Sequence, residues 1–190
     1  YRVADQRFLP DSQRLGIESL LDGNRFEVEC DLQGIYQRLN VPTALTALDV
    51  LNGSGGLRIA PQDVRRGFAS AARATRLRGR WERLGERPFV VCDTGHNESG
   101  IAEVAAQIAR QTYRKLYMVV GFVEDKDLSR VLPLLPRQAH YVFTKAGIRR
   151  ALDERELARR AAGYGLQGEC VPTVNEALAR ARELAGPEDM

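Results

Sequence analysis

The chain has 190 residues, of which 44% are hydrophobic and 28% are charged, and this composition is typical of an ordinary globular protein. Its formal net charge of +3 is too small to indicate a nucleic-acid-binding protein by itself, and no apolar run approaches the ~20 residues of a membrane-spanning helix. The three cysteines are odd in number and far apart, which argues against a disulfide framework or a zinc knuckle and favours the reducing cytoplasm.

A hairpin is predicted near the start of the chain. Residues 15–20 and 26–32 are rich in strand-forming residues, and the Asp22-Gly23-Asn24 segment between them is typical of a tight turn. The two strands should therefore pair with each other.

Two helices are predicted after this hairpin. Asn40 is a suitable N-cap for the first helix, which should end at the glycine-rich residues 53–56. The predicted apolar face of this helix consists of Ala44, Ala47, Leu48 and Leu51. Pro61 suits the first turn of the second helix, which should extend to Ala71. These elements are too few for a hydrophobic core of their own, so we expect the chain to be a fragment.

Arginines are concentrated between residues 65 and 87. They are Arg65, Arg66, Arg73, Arg76, Arg78, Arg80, Arg83 and Arg87. A solvated helix face and a basic surface that binds phosphates both explain them, and the sequence leaves the two open. Phe68 and Trp81 are the aromatic residues among them, so a platform for stacking single-stranded nucleic acid is not expected.

From about residue 80, predicted strands alternate with predicted helices. The strands are residues 89–92, 116–121, 140–144 and 169–171, and the helices are residues 98–112, 126–135, 153–163 and 174–184. Asp153 and Glu156 form a capping box at the start of one helix, and Thr173 and Glu176 form another at the start of the last. This alternation predicts a parallel sheet flanked by helices, and one more strand is expected after the last helix.

The stretch from Pro88 to Gly100 is the most informative part of the sequence. An apolar strand ends there at Asp93, and a helical apolar stripe follows. Ligands of open α/β sheets bind at the carboxyl ends of the strands, which makes Asp93, His96 and Asn97 candidate site residues. Alternatively, Asn97 or Ser99 only caps the helix, and Asp93 only stabilises its positive end.

Several segments of the chain form a pattern in a fixed order. They are Gly34-Ile35-Tyr36-Gln37-Arg38-Leu39-Asn40 with Thr43-Ala44-Leu45, Gly79-Arg80-Trp81-Glu82, Asp93-Thr94-Gly95-His96-Asn97, Gly121 with Asp125-Lys126-Asp127, and Thr144 with Arg150-Ala151. In this order they resemble the bifunctional folylpolyglutamate synthase/dihydrofolate synthase family, whose relatives are the Mur peptidoglycan ligases. The resemblance extends from about residue 30 to the end of the chain.

The resemblance implies an ATP-dependent ligase. In this reaction ATP phosphorylates a carboxylate of a pteroate or folate, and the amine of L-glutamate attacks the acyl phosphate. The resemblance implies that Asn40, Arg80 and Asp93 contact ATP. The chemistry of these side chains agrees, because an amide suits a base edge, a guanidinium suits phosphate, and a carboxylate accepts ribose hydroxyls.

The remaining candidate residues follow from the same resemblance. His96 is expected to be catalytic and to lie near the phosphates or the glutamate. Thr144, Lys145 and Arg150 are at the equivalent edge one strand beyond the Asp125-Lys126-Asp127 segment, and these three residues are expected to hold the glutamate carboxylates. His140 is matched by no motif and is interpreted as structural.

The resemblance also implies a fold class and a domain organisation. The fold class is α/β, with a Rossmann-like C-terminal domain whose mostly parallel sheet is flanked by helices, preceded by the C-terminal part of a P-loop-type central ATPase domain. Residues 1–79 correspond to an incomplete central ATP-binding domain, and residues 80–190 to a Mur-ligase-type C-terminal domain without its last strand. The cofactors are ATP and Mg²⁺. Because the P-loop and the magnesium ligands are expected before residue 1, the isolated chain is expected to be inactive.

The expected partners are ATP, L-glutamate and dihydropteroate or folate, without nucleic acid or membrane, and the expected state is a cytoplasmic monomer. Two residues depart from the family pattern: Gly95 replaces an alanine and Glu98 replaces a proline. Both substitutions affect the geometry of the turn more than its chemistry. Another Mur-type amide ligase and a non-catalytic nucleotide-binding α/β module remain the alternative functions.

Overall fold

The structure, a computed structural model, describes residues 1–56 and 58–190. The chain divides into two compact units, Tyr1–Glu82 and Arg83–Met190. Among the described residues, no helix is long and apolar enough to cross a membrane.

The first unit contains an antiparallel sheet of three strands. They are β1 (Arg2–Phe8), β2 (Gln13–Glu18) and β3 (Arg25–Cys30), and β2 pairs with both neighbours. The predicted hairpin is confirmed as β2 and β3, with Gly23 in the left-handed region (φ +72°) between them. Strand β1 was not predicted, because its residues are mostly polar and exposed at the sheet edge.

The helices of the first unit follow the sheet. They are α1 (Gln37–Gly53), α2 (Pro61–Ala69) and α3 (Ala71–Thr75). The prediction that Asn40 caps α1 is wrong, because the N-cap is Tyr36 and Asn40 already lies inside the helix. Its Nδ2 donates a hydrogen bond to Gln37 Oε1 at 3.2 Å. The predictions that α1 ends near residue 53 and that Pro61 begins α2 are confirmed.

The first unit has a hydrophobic core of its own, contrary to the expectation from its few elements. The core residues, each between 0 and 5% exposed, are Leu15, Ile17, Val28, Cys30, Val41 and Leu45. The predicted apolar face of α1 is also wrong in part, since Val41 and Leu45 are buried whereas Leu51 is 44% exposed. Helical periodicity shows that such a face exists, but the sheet decides which stripe is covered.

The second unit combines two small sheets. Its strands are β4 (Glu82–Glu86), which begins at the last residue of the first unit, β5 (Phe89–Cys92), β6 (Tyr117–Val120), β7 (His140–Phe143) and β8 (Gln167–Cys170). Strands β6, β7 and β8 form the expected parallel sheet, in that order. Strand β5 was expected in the same sheet, but it pairs with β4 in a separate two-stranded sheet.

Three α-helices accompany these strands. They are α4 (Glu98–Ile108), α5 (Glu154–Ala162) and α6 (Val174–Leu184). Helix α5 packs on β7 and β8, and α6 packs on β6 and β7. The helix predicted over residues 126–135 is wrong, because only a 3-10 turn, Leu132–Leu134, is present. Pro133 and Pro136 lack an N–H, and a proline disfavours helical geometry at the residue before it.

The last three residues connect β5 to β6 through backbone hydrogen bonds. The Phe89 N–H donates to Asp189 O at 3.0 Å, and the Tyr117 N–H donates to Met190 O at 2.8 Å. The Asp189 side chain, which is fully buried, accepts hydrogen bonds from Arg114 Nε at 3.0 Å and from the Gly186 N–H at 2.8 Å. Asp189 is therefore the main polar anchor of the C-terminal segment.

We expect the Asp189→Asn substitution to lower the midpoint of thermal unfolding at pH 7 by about 5 °C or more. The hydrogen bonds and charge of Arg114, with the Gly186 and Lys115 N–H groups, lower the pKa of Asp189 to about 2. Because the folded pKa lies below the unfolded value, this stabilisation is complete above about pH 4 and is lost as the pH falls through about 2. Thermal melts at pH 7, 4 and 2 measure both effects. The exposed neighbour Glu188, changed to Gln, is the control, and an unchanged melting temperature for Asp189→Asn would contradict the prediction.

Candidate functional site

Asp93 is the first residue after β5, and it lies half-buried at the carboxyl end of that strand. Its Oδ1 accepts a hydrogen bond from the Gly95 N–H at 2.7 Å, which closes a tight turn. A Cβ at Gly95 would lie 3.2 Å from Asp93 Oδ1 and 3.3 Å from the Gly100 carbonyl oxygen. An alanine at this position, as in the family pattern, would require these neighbouring atoms to move by a few tenths of an ångström. The same turn can therefore form with either glycine or alanine at position 95.

Two polar side chains follow in this turn. The Nδ1 of exposed His96 is 3.0 Å from the Thr94 carbonyl oxygen, and because a carbonyl only accepts, Nδ1 carries the proton. In the neutral ring, Nε2 is then an acceptor. Asn97 is the N-cap of α4, since its Oδ1 accepts a hydrogen bond from the Gly100 N–H at 2.7 Å. The capping interpretation of Asn97 is confirmed.

We expect Glu98→Pro, which restores the proline of the family pattern, to change the free energy of unfolding by less than about 0.5 kcal/mol. Glu98 is the first residue of α4, where a proline loses no intrahelical hydrogen bond. Asn97 already has the extended backbone (φ −111°, ψ 169°) that a following proline requires. Chemical denaturation measures the change, and Glu103→Pro in the middle of α4 is the destabilised control. A loss of about 2 kcal/mol or more for Glu98→Pro would contradict the assignment of the helix start.

The loops after β6 and β7 are joined to each other. The Glu124 N–H donates to Arg150 O and the Leu152 N–H donates to Phe122 O, both at 2.9 Å, and Val123 and Ala151 form an antiparallel bridge. This pairing brings the Asp125-Lys126-Asp127 segment next to Arg150, whose Nη1 lies 3.6 Å from Asp125 Oδ2. The sequence placed both loops at the carboxyl edge of the sheet, but it contained no signal for their pairing.

Thr144 is the first residue after β7 and is only 2% exposed. Its N–H donates to Val120 O at 2.9 Å, and a Cβ at Gly121 would lie 2.7 Å from the Thr144 carbonyl oxygen. Glycine is thus required at position 121 for this close approach. The Nζ of Lys145, the next residue, lies 3.5 Å from Asp153 Oδ2 and 3.6 Å from Glu154 Oε2.

Glu154 is a residue of this edge that the sequence motifs do not include. It is the first residue of α5 and is 6% exposed. The only signal was its position beside the N-cap Asp153, because the sequence does not show that a glutamate at a helix start is buried.

Asn40 and Arg80 belong to the first unit, and the other predicted site residues belong to the second. Asn40 is exposed on α1. Half-buried Arg80 lies between two residues with left-handed backbone, Gly79 (φ +68°) and Trp81 (φ +53°). Glu82 Oε2 accepts a hydrogen bond from the Gly79 N–H at 2.8 Å. Such backbone is rare for a residue with a side chain, and it orients the Arg80 segment.

The arginine-rich region is partly neutralised by local ion pairs. Arg66 pairs with Asp63 and Arg78 with Glu82, while Arg83 pairs with Glu86 at 2.7 Å. Among residues 1–56 and 58–190, no group of three or more His, Cys, Asp or Glu side chains is positioned to hold a metal ion.

The family model described as Mur ligase, glutamate ligase domain, matches residues 79–190. The chain belongs to this family. The matched residues include the Gly79-Arg80-Trp81-Glu82 segment, the Asp93–Asn97 turn and the two paired loops. The family predicted from these motifs is therefore confirmed. The α/β class with its parallel sheet is confirmed as well.

Similar proteins carry names from folate metabolism. A probable bifunctional folylpolyglutamate synthase/dihydropteroate synthase of Haloferax volcanii is 32% identical over 171 residues, covering 88% of this chain and 19% of that protein. A dihydrofolate synthase/folylpolyglutamate synthase of Mycobacterium tuberculosis is 33% identical over 141 residues, covering 73% of this chain and 28% of that protein.

A solved structure of Mycobacterium tuberculosis folylpolyglutamate synthase, complexed with ADP, is also similar. It matches with a TM-score of 0.78 and 28% identity over 96% of this chain and 40% of that chain. The present chain therefore spans between about a fifth and two fifths of the length of these relatives.

Proposed function

We propose that this chain is part of an ATP-dependent ligase that adds L-glutamate to folate or dihydropteroate through an acyl-phosphate intermediate. The observation that carries the proposal is the Asp93–Asn97 turn, which joins the carboxyl end of β5 to the start of α4 in a chain of the glutamate ligase domain family. The names of the similar proteins support the reaction, and the ADP complex of the M. tuberculosis enzyme supports the nucleotide.

Within this proposal, residues 1–79 are the C-terminal part of the central ATP-binding domain, and residues 80–190 are the C-terminal domain. Three residues contact ATP. The Asp93 carboxylate, held by the Gly95 N–H, accepts the ribose hydroxyls. The Arg80 guanidinium pairs with phosphate oxygens, and the Asn40 amide binds the edge of the base.

His96 is the proposed catalytic residue. The contact of its Nδ1 with the Thr94 carbonyl orients the ring and leaves Nε2 as the acceptor in the neutral ring. In the neutral ring, Nε2 can take a proton from the glutamate amine. In the protonated ring, Nε2–H can donate a hydrogen bond, and either role assists acyl transfer. The reaction otherwise depends on positioning and charge stabilisation.

Thr144 and Arg150 are the proposed binding residues for the glutamate carboxylates. Arg150 is exposed, and its 3.6 Å distance from Asp125 is longer than a hydrogen bond, so a substrate carboxylate can replace this partner. The loop pairing at Val123 and Ala151 keeps Arg150 at the carboxyl edge of the sheet. We further propose a cytoplasmic monomer without nucleic-acid or membrane partners.

The experiment is a turnover assay of a longer protein that contains this chain. ADP release is measured with ATP, L-glutamate and either dihydropteroate or a reduced folate, and each component is omitted in turn. Turnover that requires glutamate together with one of the two pterins supports the proposal. Turnover only with another carboxylate or amino acid indicates a different amide ligase, and nucleotide binding without turnover indicates a non-catalytic module. The isolated chain is expected to show no turnover.

We expect His96→Ala to lower kcat about 100-fold while nucleotide affinity changes less than about twofold, because general acid–base assistance contributes to the chemical step alone. Steady-state kinetics and nucleotide titration measure the two quantities. His140→Ala, in the same unit but on no family motif, is the control. Wild-type turnover by His96→Ala would make His96 a structural residue.

A further inference from the structure

The start of α1 contains a buried polar side chain that the proposed roles do not use. Gln37, the first residue of the helix, is only 4% exposed, whereas Asn40, three residues later, is exposed. Glutamine is a mostly exposed residue type, because burying an amide costs free energy unless the amide finds a hydrogen-bond partner. The partner of Gln37 is Asn40.

The two side-chain amides are joined in a defined direction. The Asn40 Nδ2 donates and the Gln37 Oε1 accepts, at 3.2 Å. Residues three apart on a helix are neighbours on its surface, so α1 itself holds the pair together. An asparagine amide has two N–H donors and one carbonyl acceptor. The contact with Gln37 therefore uses one N–H of Asn40 and leaves the other N–H and Oδ1 for a ligand.

The backbone that leads into Gln37 is held by two glutamines of the antiparallel sheet. Gln13 of β2 is fully buried, and its Nε2 donates to Gly34 O at 3.0 Å. Gln6 of β1 donates to Gln13 Oε1 at 2.5 Å and to Ile35 O at 3.2 Å. The Gln37 N–H in turn donates to Gly34 O at 3.0 Å. The sheet of the first unit therefore fixes the position of Gln37 before any ligand binds, which lowers the entropy lost on binding.

The direction in which the Asn40 amide is turned decides which purine base it accepts. Its Oδ1 can accept a hydrogen bond from an amino group at C6, as in adenine, while its remaining N–H donates to a ring nitrogen. A base with an oxo group at C6 presents a second acceptor to Oδ1, with no proton between the two oxygens. The opposite orientation of the amide would favour the oxo base, so discrimination between the two bases depends on what orients Asn40.

We propose that Gln37 is a positioning residue that makes Asn40 selective for a 6-amino purine over a 6-oxo purine. Gln37 Oε1 holds one N–H of Asn40, so that Asn40 Oδ1 faces the amino group of the base. This inference rests on the proposed function, in which the Asn40 amide binds the edge of the base of ATP. It extends that function by naming the residue that decides the base specificity.

The test compares ADP with inosine diphosphate, which has the same ribose and phosphates but an oxo group at C6. Isothermal titration of a longer protein that contains this chain gives a Kd for each nucleotide. We expect Gln37→Met to lower the ratio of the inosine diphosphate Kd to the ADP Kd about 10-fold, because Asn40 can then turn to suit either base. A merely structural role of Gln37 would raise both Kd values by the same factor, and an unchanged ratio overturns the proposal.

Two further variants assign the effect to the acceptor on Gln37. Gln37→Glu keeps the shape of the side chain, and an ionised carboxylate only accepts hydrogen bonds, so we expect it to keep the wild-type ratio within about twofold. A ratio as low as that of Gln37→Met would contradict the proposed orientation. Thr46→Val on the same helix is the control, because the Thr46 hydroxyl bonds only to Pro42 O of α1 at 3.0 Å, and both Kd values should be unchanged.

A second measurement uses this chain without nucleotide. We expect ¹⁵N relaxation of the Asn40 side-chain amide to show restricted picosecond-to-nanosecond motion in the wild type and greater motion in Gln37→Met. The backbone amides of β2 and α1 report in the same spectra whether the variant is folded. Equal mobility of the Asn40 amide in the wild type and in folded Gln37→Met would overturn the positioning role.

Failure of this inference and failure of the proposed function give different results. If the longer protein binds ADP, Asn40→Ala weakens that binding and Gln37→Met keeps the wild-type ratio, the nucleotide site stands and the role of Gln37 is wrong. If the longer protein binds neither ADP nor inosine diphosphate, the proposed function is wrong, and the base selectivity assigned to Gln37 is wrong with it.

Discussion

Replacing Asp93 with alanine is expected to weaken ATP binding about 10- to 100-fold in a longer protein that contains this chain. Hydrogen bonds to a charged group contribute roughly 1.5–3 kcal/mol, and every 1.4 kcal/mol is about tenfold in affinity. The carboxylate is half-buried at the end of β5 and oriented by the Gly95 N–H, so little conformational entropy is lost when it binds the ribose. Isothermal titration with ADP measures the change.

Two controls separate the carboxylate from the turn that it closes. Asp93→Asn keeps an oxygen acceptor for the Gly95 N–H but removes the charge, and we expect it to lose affinity by a smaller factor than Asp93→Ala. Asp63→Ala on α2 removes a half-buried carboxylate that pairs with Arg66, and it should leave ADP binding unchanged. Nucleotide affinity of Asp93→Ala within twofold of the wild type would refute the assignment.

The largest loss of stability is expected from Gly168→Ala, at about 2–4 kcal/mol. A Cβ at position 168 would lie 1.8 Å from the Tyr141 carbonyl oxygen and 2.7 Å from the Tyr141 Cα. Both are backbone atoms of the central strand β7, so the clash is not relieved by rotation of a side chain. Strand β8 must move away from β7, where Gly168 pairs with Tyr141. Chemical denaturation followed by circular dichroism measures the loss.

Gly147→Ala is the matched control for this prediction. Its Cβ meets no heavy atom within 4 Å, and its backbone is not in the left-handed region. The substitution should therefore change the free energy of unfolding by less than about 0.5 kcal/mol. Equal stability of Gly168→Ala and Gly147→Ala would show that β7 and β8 do not approach this closely.

The second unit was predicted from sequence more accurately than the first, for a physical reason. Its strands β5 and β7 are short apolar runs, and its helices α5 and α6 begin at strong capping residues, Asp153 and Thr173, whose side chains accept hydrogen bonds in the first turn. Local signals of this kind need no knowledge of the rest of the fold. Strands β1 and β4 carry mostly polar residues, and only pairing with a neighbour makes them strands.

The candidate site shows the same division. The position of Asp93 and His96 between a strand and a helix could be predicted, because a strand end, a turn and an amphipathic helix are local patterns. The start of α1 could not, because its N-cap Tyr36 makes no side-chain capping hydrogen bond, and the capping pattern pointed to Asn40 instead. The burial of Glu154 could not be predicted either, because it depends on how α5 packs against β7 and β8.

By itself, the sequence determined the α/β class, the order of the main elements, and the family to which residues 79–190 belong. Only the tertiary structure decided that β5 pairs with β4 rather than joining the parallel sheet, that the loops after β6 and β7 are bonded to each other, and that Thr144 and Glu154 are buried. Periodicity and capping act over a few residues, whereas strand partners and buried surfaces depend on residues far apart in the chain. The Asp93–Asn97 turn belongs to the first kind of information, and the burial of Thr144 and Glu154 belongs to the second.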